Sequence, residues 1–227
     1  MDTQTILSYL KNLNEHNDRE WYHAHKTEYK EASALFETLV HELILQIGKF
    51  DSNILPREAK ELTFKLVRDT RFSHDKSPYN PTFRAHIGPE GKLPVPVGYY
   101  LMIKPGGQSF LGGGLFADMF KDATSMIRDY IAANGEEWEK ILHDPEFQKE
   151  FVVQGTKLKN VPAGYDREHP QAEFLKFKSW YLEYPIKDEI VADGKLFLTE
   201  AVRLFQIMKP FNDFLNQALK DFHMPTR

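Results

Sequence analysis

The chain has 227 residues and a formal net charge of −4 at pH 7, so it lacks the overall positive charge that would attract nucleic acid or an anionic membrane. It contains no cysteine, which excludes disulfides and cysteine-based metal or redox sites. A hydrophobic fraction of 41%, with 17 Phe and 10 Tyr, is enough for one large aromatic-rich core. The N-terminal segment lacks a signal-peptide pattern, and no apolar run approaches the roughly 18 residues that cross a bilayer. We therefore expect a soluble, cytoplasmic protein.

The first fifty residues predict two helices. Apolar residues recur at helical spacing after Asp2 or Thr3, either of which can act as the N-cap. A second, longer helix is expected to begin at Asn17 or Asp18 and to end at Gly48.

The central segment predicts strands that are too closely spaced for the crossovers of a parallel sheet, so we expect an antiparallel one. The stretches that indicate strands are LTFKLVRDTRF (62–72), TFRAHIG (82–88), VGYYLMIKP (97–105) and the segment from Gln108 to Phe116. Gly106 and Gly107 are expected to form a hairpin turn before the last of these. The run Gly112 to Gly114 indicates a strand bend or bulge.

The second half predicts helices again, over about 118–133, 136–142 and 194–222, with a brief turn at Asp144 and Pro145. Pro210 is expected to kink or divide the last helix. The stretch FLKFKSWYLEY (174–184) is interpreted as a core helix whose lysines extend to solvent. Because there is no repeat and no linker, we expect a single α+β domain over residues 1–227, with a central antiparallel sheet packed by the N- and C-terminal helices.

Basic residues are concentrated in the stretch LVRDTRFSHDKSPYNPTFRAHIG (66–88). From Lys65 to His86 there are five bases and two acids, a local charge of +3 in an acidic chain. Arginine forks suit phosphate or carboxylate because two parallel N–H groups match the oxygens. Because the bases outnumber the acids, we expect a site for a small anionic molecule. The residues expected to bind it are Arg68, Arg71, Lys76, Tyr79 and Arg84.

A second polar motif near the N-terminus is a candidate for the opposite wall of this site. Its candidate ligand-binding residues are Arg19, Glu20, Trp21 and Lys26. If the site is catalytic, His86 is the first choice as proton shuttle, because imidazole titrates near neutral pH, and Asp75 is the second.

The same loop has an alternative interpretation in which nothing small is bound. Asp69 and Asp75 can pair with the neighbouring bases and fix the loop as a structural ion-pair network. The protein would then be a non-enzymatic interaction module, or the loop would dock on an acidic partner surface. A ligand site should be concave, a structural network should leave no cavity, and a docking surface should be flat with exposed aromatics.

Other motifs give weaker signals. SHDK (73–76) matches the S-x-x-K pattern of serine acyl enzymes, but it lies in a turn-rich loop and not on a helix, which favours turn formation. His23 and His25 would lie on different faces of a helix. We expect no metal, no cofactor and no nucleic-acid partner, and the sequence indicates no oligomeric state.

Five stretches carry a resemblance to a known family: NDREWYHAHKTEY, VRDTRFSHDKSPYNP, GYYLMIKPGGQSFLGGGLF, VPAGYDREHP and MKPFNDFLN. In this order they span nearly the whole chain and resemble the domain of unknown function 2461 family of bacteria and fungi. The R-D-x-R-F-S-x-D-K-x-P-Y block, Arg68 to Tyr79, is its most specific part. Asn80 and Pro81 depart from it, because many relatives have Lys or Arg and then Thr there. The resemblance implies a single cytoplasmic domain and implies no reaction.

Overall fold

In the computed structural model, which describes residues 1–116 and 120–225, helices pack against one face of a four-stranded antiparallel sheet. The helices are α1 (Thr3–Glu15), α2 (Arg19–Ala24), α3 (Lys26–Ile47), α4 (Ala59–Leu62), α5 (Lys121–Ala133), α6 (Gly135–Leu142), α7 (Pro145–Glu150), α8 (Ala172–Leu175), α9 (Asp188–Ala192) and α10 (Gly194–Ala218), with a 3-10 turn at Ser52–Ile54. The strands are β1 (Phe83–Ile87), β2 (Tyr99–Ile103), β3 (Ser109–Leu115) and β4 (Trp180–Ile186). The chain is a single α+β domain, as expected.

The strands follow one another across the sheet in the order β1-β2-β3-β4, and all neighbours are antiparallel. Ala85 is paired with Leu101, Leu101 with Leu111, and Leu111 with Tyr184. The first three strands are close in sequence, whereas β4 reaches the edge of β3 only after helices α5 to α8.

Side chains alternate across the sheet, and the inner face packs on the helices. Its fully or nearly fully buried residues include Ala85, Ile87, Leu101, Ile103, Leu111 and Leu182. Helix α10 can approach β3 closely because residue 113 is glycine: a Cβ there would lie 3.0 Å from Oδ1 of Asn212. On the outer face, Arg84, Tyr100, Phe110 and Glu183 are only partly buried, so the described residues cover this side of the sheet less completely than the inner side.

The N-terminal helices confirm most of the prediction. Oδ1 of Asp2 accepts a hydrogen bond from the backbone N–H of Thr5 (3.0 Å), so Asp2 is the N-cap of α1. Asp18 caps α2 in the same way, through the N–H of Trp21 (2.8 Å). The expected second helix is divided at His25, and Gly48 is the C-cap of its longer part.

The prediction of a strand over 62–72 is wrong. Within the described residues this segment forms only isolated bridges, Thr63 with Ala85 and Val67 with Tyr79. The pairing of this segment with β1 stops at Phe64. From Leu66 onward its backbone forms hydrogen bonds with Pro78 and Asn80, on the other side of the charged loop.

The helix predicted over 174–184 is also wrong, since α8 ends at Leu175 and Trp180–Ile186 is strand β4. Pairing with β3 overrides the local pattern. Pro210 does not divide α10, which runs unbroken from Gly194 to Ala218. Pro210 itself is exposed while Met208 and Phe211 beside it are buried, so packing on both sides holds the helix together.

Other boundaries differ slightly from expectation. The predicted start of α5 at 118 lies outside the described residues, and the helix is described from Lys121.

Among the described helices, none is long and apolar enough to cross a membrane.

Candidate functional site

The two polar motifs meet at one cavity of about 480 Å³, beside the start of α2. We call it the polar cavity; it is lined by Asn17, Asp18, Arg19, Val67, Arg68, Thr70, Lys76, Pro78 and Tyr79. The N-terminal motif therefore supplies one wall and the charged loop the other.

Asn17 joins the two walls. Its Nδ2 donates to the carbonyl of Tyr79 (2.9 Å), and its Oδ1 accepts from the N–H of Tyr79 (3.1 Å). The Tyr79 ring stacks on Tyr22 of α2, with ring centres 4.2 Å apart and planes 19° apart. A side-chain amide that satisfies both backbone groups of one residue fixes the loop against the helix start.

The charged loop is closed at its base by its own backbone. The N–H of Arg68 donates to the carbonyl of Pro78 (2.9 Å), and the N–H of Asn80 donates to Leu66 (2.7 Å). Within the loop, Nζ of Lys76 donates to the carbonyl of Thr70 (3.0 Å). With the loop held in this way, Arg68 and Lys76 line the same cavity as Arg19.

Two ion pairs lie inside the loop, as the structural interpretation expects. Arg68 pairs with Asp75 and also contacts Oγ of Ser73 (3.3 Å), while Nη2 of Arg71 lies 2.6 Å from Asp69. Both carboxylates accept backbone N–H groups two residues further along, so they also form turns.

Asp75 is held ionised by these contacts. Hydrogen bonds from Ser77, followed by the ion pair with Arg68, lower the pKa of Asp75 well below its ordinary value. A carboxylate in this state orients an arginine; it does not favour the proton-transfer role predicted for Asp75.

The polar cavity is nevertheless basic. Three bases and one acid line it, and the acid, Asp18, is engaged as the N-cap of α2. Arg19 is exposed and, among the described residues, its side chain has no hydrogen bond or ion pair. The partner of Arg68, Asp75, is 59% exposed, so solvent weakens that ion pair.

Several predicted binding residues do not line the polar cavity. Arg71 is 77% exposed and paired, and Glu20 and Lys26 are exposed. Trp21 is stacked between His16 and His25, with ring centres 5.6 and 4.0 Å away. These side chains support the walls or lie outside them.

The other two, Arg84 and His86, belong to β1 and to the open face of the sheet. His86 lines a second cavity of about 280 Å³, which we call the aromatic cavity; its lining is Phe64, His86, Lys92, Pro94, Tyr100, Phe110, Gly114, Phe116 and Glu183. Among the described residues the two cavities have no lining residue in common. The structure therefore separates the candidate proton shuttle from the predicted anion ligands.

Burial decides the chemistry of His86, which is 8% exposed. Burial lowers its pKa to about 4, and the nearby carbonyl of Gly91 opposes this effect only in part. The ring is therefore neutral at pH 7. Its Nδ1 is buried and makes no hydrogen bond within the described part of the chain.

Sequence reasoning missed the aromatic cavity. The alternation of Tyr100 and Phe110 with buried aliphatic residues could have indicated it. However, Glu183 was assigned to a helix, so its place beside these rings on the sheet was not predicted.

A larger cavity, about 820 Å³, lies along α6, α7 and α10. Acids outnumber bases there, and Arg203 is already paired with Glu150 and Glu200. Among the described residues, no cluster of His, Asp and Glu could hold a metal ion.

Fold and site together define a class: a one-sheet α+β domain with a basic cavity between its second helix and a long charged loop. The sequence model of the family described as conserved hypothetical protein (DUF2461) matches residues 5–214, and the chain belongs to this family. Comparisons with curated proteins and with solved structures give no match.

Proposed function

We propose that the polar cavity binds a small anionic molecule that carries a phosphate or carboxylate group. The observation that carries this proposal is the convergence of Arg19, Arg68 and Lys76, from two distant motifs, on one cavity. Arg19 is the most informative of the three, because no acid of the described residues pairs with its side chain and its positive charge therefore adds to that of the cavity.

Size and chemistry agree with this proposal. A cavity of about 480 Å³ lies within the roughly 300–1,000 Å³ of small-molecule sites. Arginine forks bind phosphate and carboxylate through paired N–H groups, and Lys76 adds a point charge. We also propose that the protein is cytoplasmic. No reaction is assigned to the polar cavity, because the candidate proton shuttle, the neutral His86, lines the other cavity.

A second candidate function is an interaction module in which the charged loop docks on an acidic partner. One observation favours it: Phe72, at the tip of the loop, is 95% exposed, with the guanidinium of Arg71 5.9 Å from its ring centre. An exposed aromatic beside a cation is typical of the centre of a protein interface.

The test is a thermal-shift screen at constant ionic strength with phosphate, sugar phosphates, nucleotides and small carboxylates. A ligand at 100 times its Kd stabilises a protein by about 2.7 kcal/mol. For a chain of this size we expect a rise in melting temperature of roughly 5–10 °C.

Three variants separate the two candidates. Arg19→Ala removes an unpaired base, so it should abolish the shift and leave the melting temperature of the free protein unchanged. Arg68→Ala should abolish the shift and also destabilise the loop, because it leaves Asp75 unpaired. Arg167→Ala, an exposed arginine outside the cavity, is the control for lost charge.

A shift that survives Arg19→Ala, or no shift with any anion, would overturn the proposal. In that case, weakened capture of an acidic protein by Phe72→Ala would favour the interaction module.

A further inference from the structure

The aromatic cavity on the open sheet face has a continuous wall of rings. Tyr100 stacks on Phe110 with ring centres 5.6 Å apart and planes 24° apart. Phe116 lies 5.6 Å from Tyr100 and stacks on Tyr181 at 4.6 Å. Each of these rings keeps part of its surface accessible among the described residues, and Phe116 is 38% exposed, so the wall can contact a ligand.

A glycine makes this wall possible. A Cβ on Gly112 would lie 3.0 Å from Cζ of Phe116 and 2.8 Å from the carbonyl oxygen of Leu182. The Phe116 ring therefore lies over β3 in space that any other residue would fill. The strands supply the floor of the cavity, and the connecting segments that contain Phe64, Lys92 and Pro94 supply its rim.

Polar groups are few and lie among the rings. His86 lines the cavity and is more than nine-tenths buried, with its Nδ1 inaccessible to solvent. Glu183 on β4 contributes a carboxyl group, and burial raises its pKa. A mostly apolar pocket with a few polar groups at fixed positions is typical of small-molecule sites.

Charge decides which kind of ligand fits. An aromatic wall with one carboxyl group could hold an organic cation. However, the cation-binding face of Phe64 is already used: the guanidinium of Arg84 lies 5.3 Å and Nζ of Lys92 5.7 Å from its ring centre. Nζ of Lys92 also donates to the carbonyl of Thr63 (3.0 Å), which holds it in place. A further cation would be repelled, and an anion would meet Glu183.

We propose that the aromatic cavity binds a planar, uncharged heteroaromatic ring, packed against Tyr100, Phe110 and Phe116 and hydrogen-bonded at its edge by His86 and Glu183. One nitrogen of the His86 ring can make one hydrogen bond to the edge of such a ring, and the carboxyl group of Glu183 can make a second. The volume of about 280 Å³ is just below the range of drug-sized sites, so it suits one or two fused rings.

This site goes beyond the proposed anion site and is independent of it, since the two cavities share no lining residue among those described. Failure at one cavity leaves the other proposal standing.

The experiment is a ligand-observed NMR titration of the full chain with adenine and nicotinamide, which are planar and neutral, and with choline and inorganic phosphate as charged comparisons. Three variants are titrated beside the wild type. Phe116→Ala removes one ring of the cavity wall, and Glu183→Gln replaces the carboxyl group with an amide of the same size. Phe72→Ala is the control, because it removes a ring that is 95% exposed and lies outside the cavity. Melting temperatures confirm that each variant is folded.

We expect saturable millimolar or tighter binding of at least one ring compound, a rise in Kd of about tenfold in Phe116→Ala, and no change in Phe72→Ala. Glu183→Gln should also weaken the binding of this ring compound. It provides the test if Phe116→Ala does not fold. The proposal is overturned if neither ring compound binds saturably, if choline binds more tightly than both, or if the cavity variants leave Kd unchanged. Phosphate binding that the cavity variants do not alter belongs to the polar cavity.

Discussion

His86 shows how one buried side chain links the sheet face to the pH dependence of folding. Burial lowers its pKa in the folded protein to about 4, whereas an unfolded chain has the ordinary value of 6.5. Between these values the unfolded state binds a proton that the folded state does not. The free energy of unfolding therefore falls as the pH falls through this window.

We predict that His86 contributes a loss of about 2 kcal/mol between pH 7 and pH 4.5. Urea unfolding of the wild type and of His86→Gln at both pH values measures it: the loss should be smaller in the variant by that amount. The comparison is needed because other groups also titrate. The raised pKa of Glu183 acts in the opposite direction, and the lowered pKa values of Glu173 and Glu200 begin to reduce stability as the pH approaches their ordinary value of 4.5. Equal losses in the two proteins would contradict the prediction.

For single residues, the sequence shows where charged side chains are clustered along the chain. It does not show which of them are in contact in the folded protein. The loop bases and the acids beside them are readable because they are neighbours in the chain. The amide of Asn17, which joins the loop to α2, could not be predicted, since its bonds to Tyr79 depend on how two distant segments pack. The burial of His86 was likewise invisible, although it moves that residue from a candidate proton shuttle to a neutral ring.

At the level of elements, strand β3 depends on glycines for its place between β4 and α10. Gly114 has φ +88° inside the strand, and a Cβ on it would contact the carbonyl oxygen of Trp180 and lie 2.7 Å from Cε1 of Phe211. Backbone conformation and neighbouring atoms both exclude a side chain there.

We predict that Gly114→Ala lowers the free energy of unfolding by more than Gly164→Ala does, by about 1–3 kcal/mol. Gly164 is the matched control: its φ is +94°, yet nothing in the described part of the chain lies within 4 Å of an added Cβ. Both variants carry the strain of a positive φ, and only one adds a clash. Denaturant unfolding of the two variants gives the difference, and equal losses would show that β3 can shift to accept a methyl group.

The elements that the sequence predicted well are those with local signals. Helix α1 has its N-cap at Asp2, and α3 ends at Gly48, because caps and apolar spacing lie within one segment. Strand β4 has no such independence: Leu182 is in a strand because it pairs with Gly113, far away in the chain. The strand predicted after Leu62 was wrong because the local composition was misleading. Its β-branched and aromatic residues suit a strand, but its backbone hydrogen bonds close a loop.

At the level of the whole molecule, the two ends of the chain share one core. Helix α3 packs on α1 and on α10, and α1 also packs on α9. Thr3, fully buried, donates from Oγ1 to the carbonyl of Ala192 (3.2 Å). Neither the N-terminal helices nor the C-terminal helix has a separate core, so neither half is expected to unfold alone, although chains above about 150 residues often do unfold in steps.

We therefore predict one cooperative transition that core substitutions at either end displace as a whole. Leu10→Ala in α1 and Phe205→Ala in α10 remove fully buried side chains and should each lower the free energy of unfolding by about 2–5 kcal/mol. Leu45→Ala, at a position 43% exposed on α3, is the control and should cost far less. Far-ultraviolet circular dichroism follows the helices, and fluorescence follows Trp21 near one end and Trp138 and Trp180 beyond the centre. In each variant the two signals should keep a common midpoint. A midpoint that moves in one signal and not in the other would mean that the two ends fold as separate units, because a shared core cannot lose one side while the other stays packed.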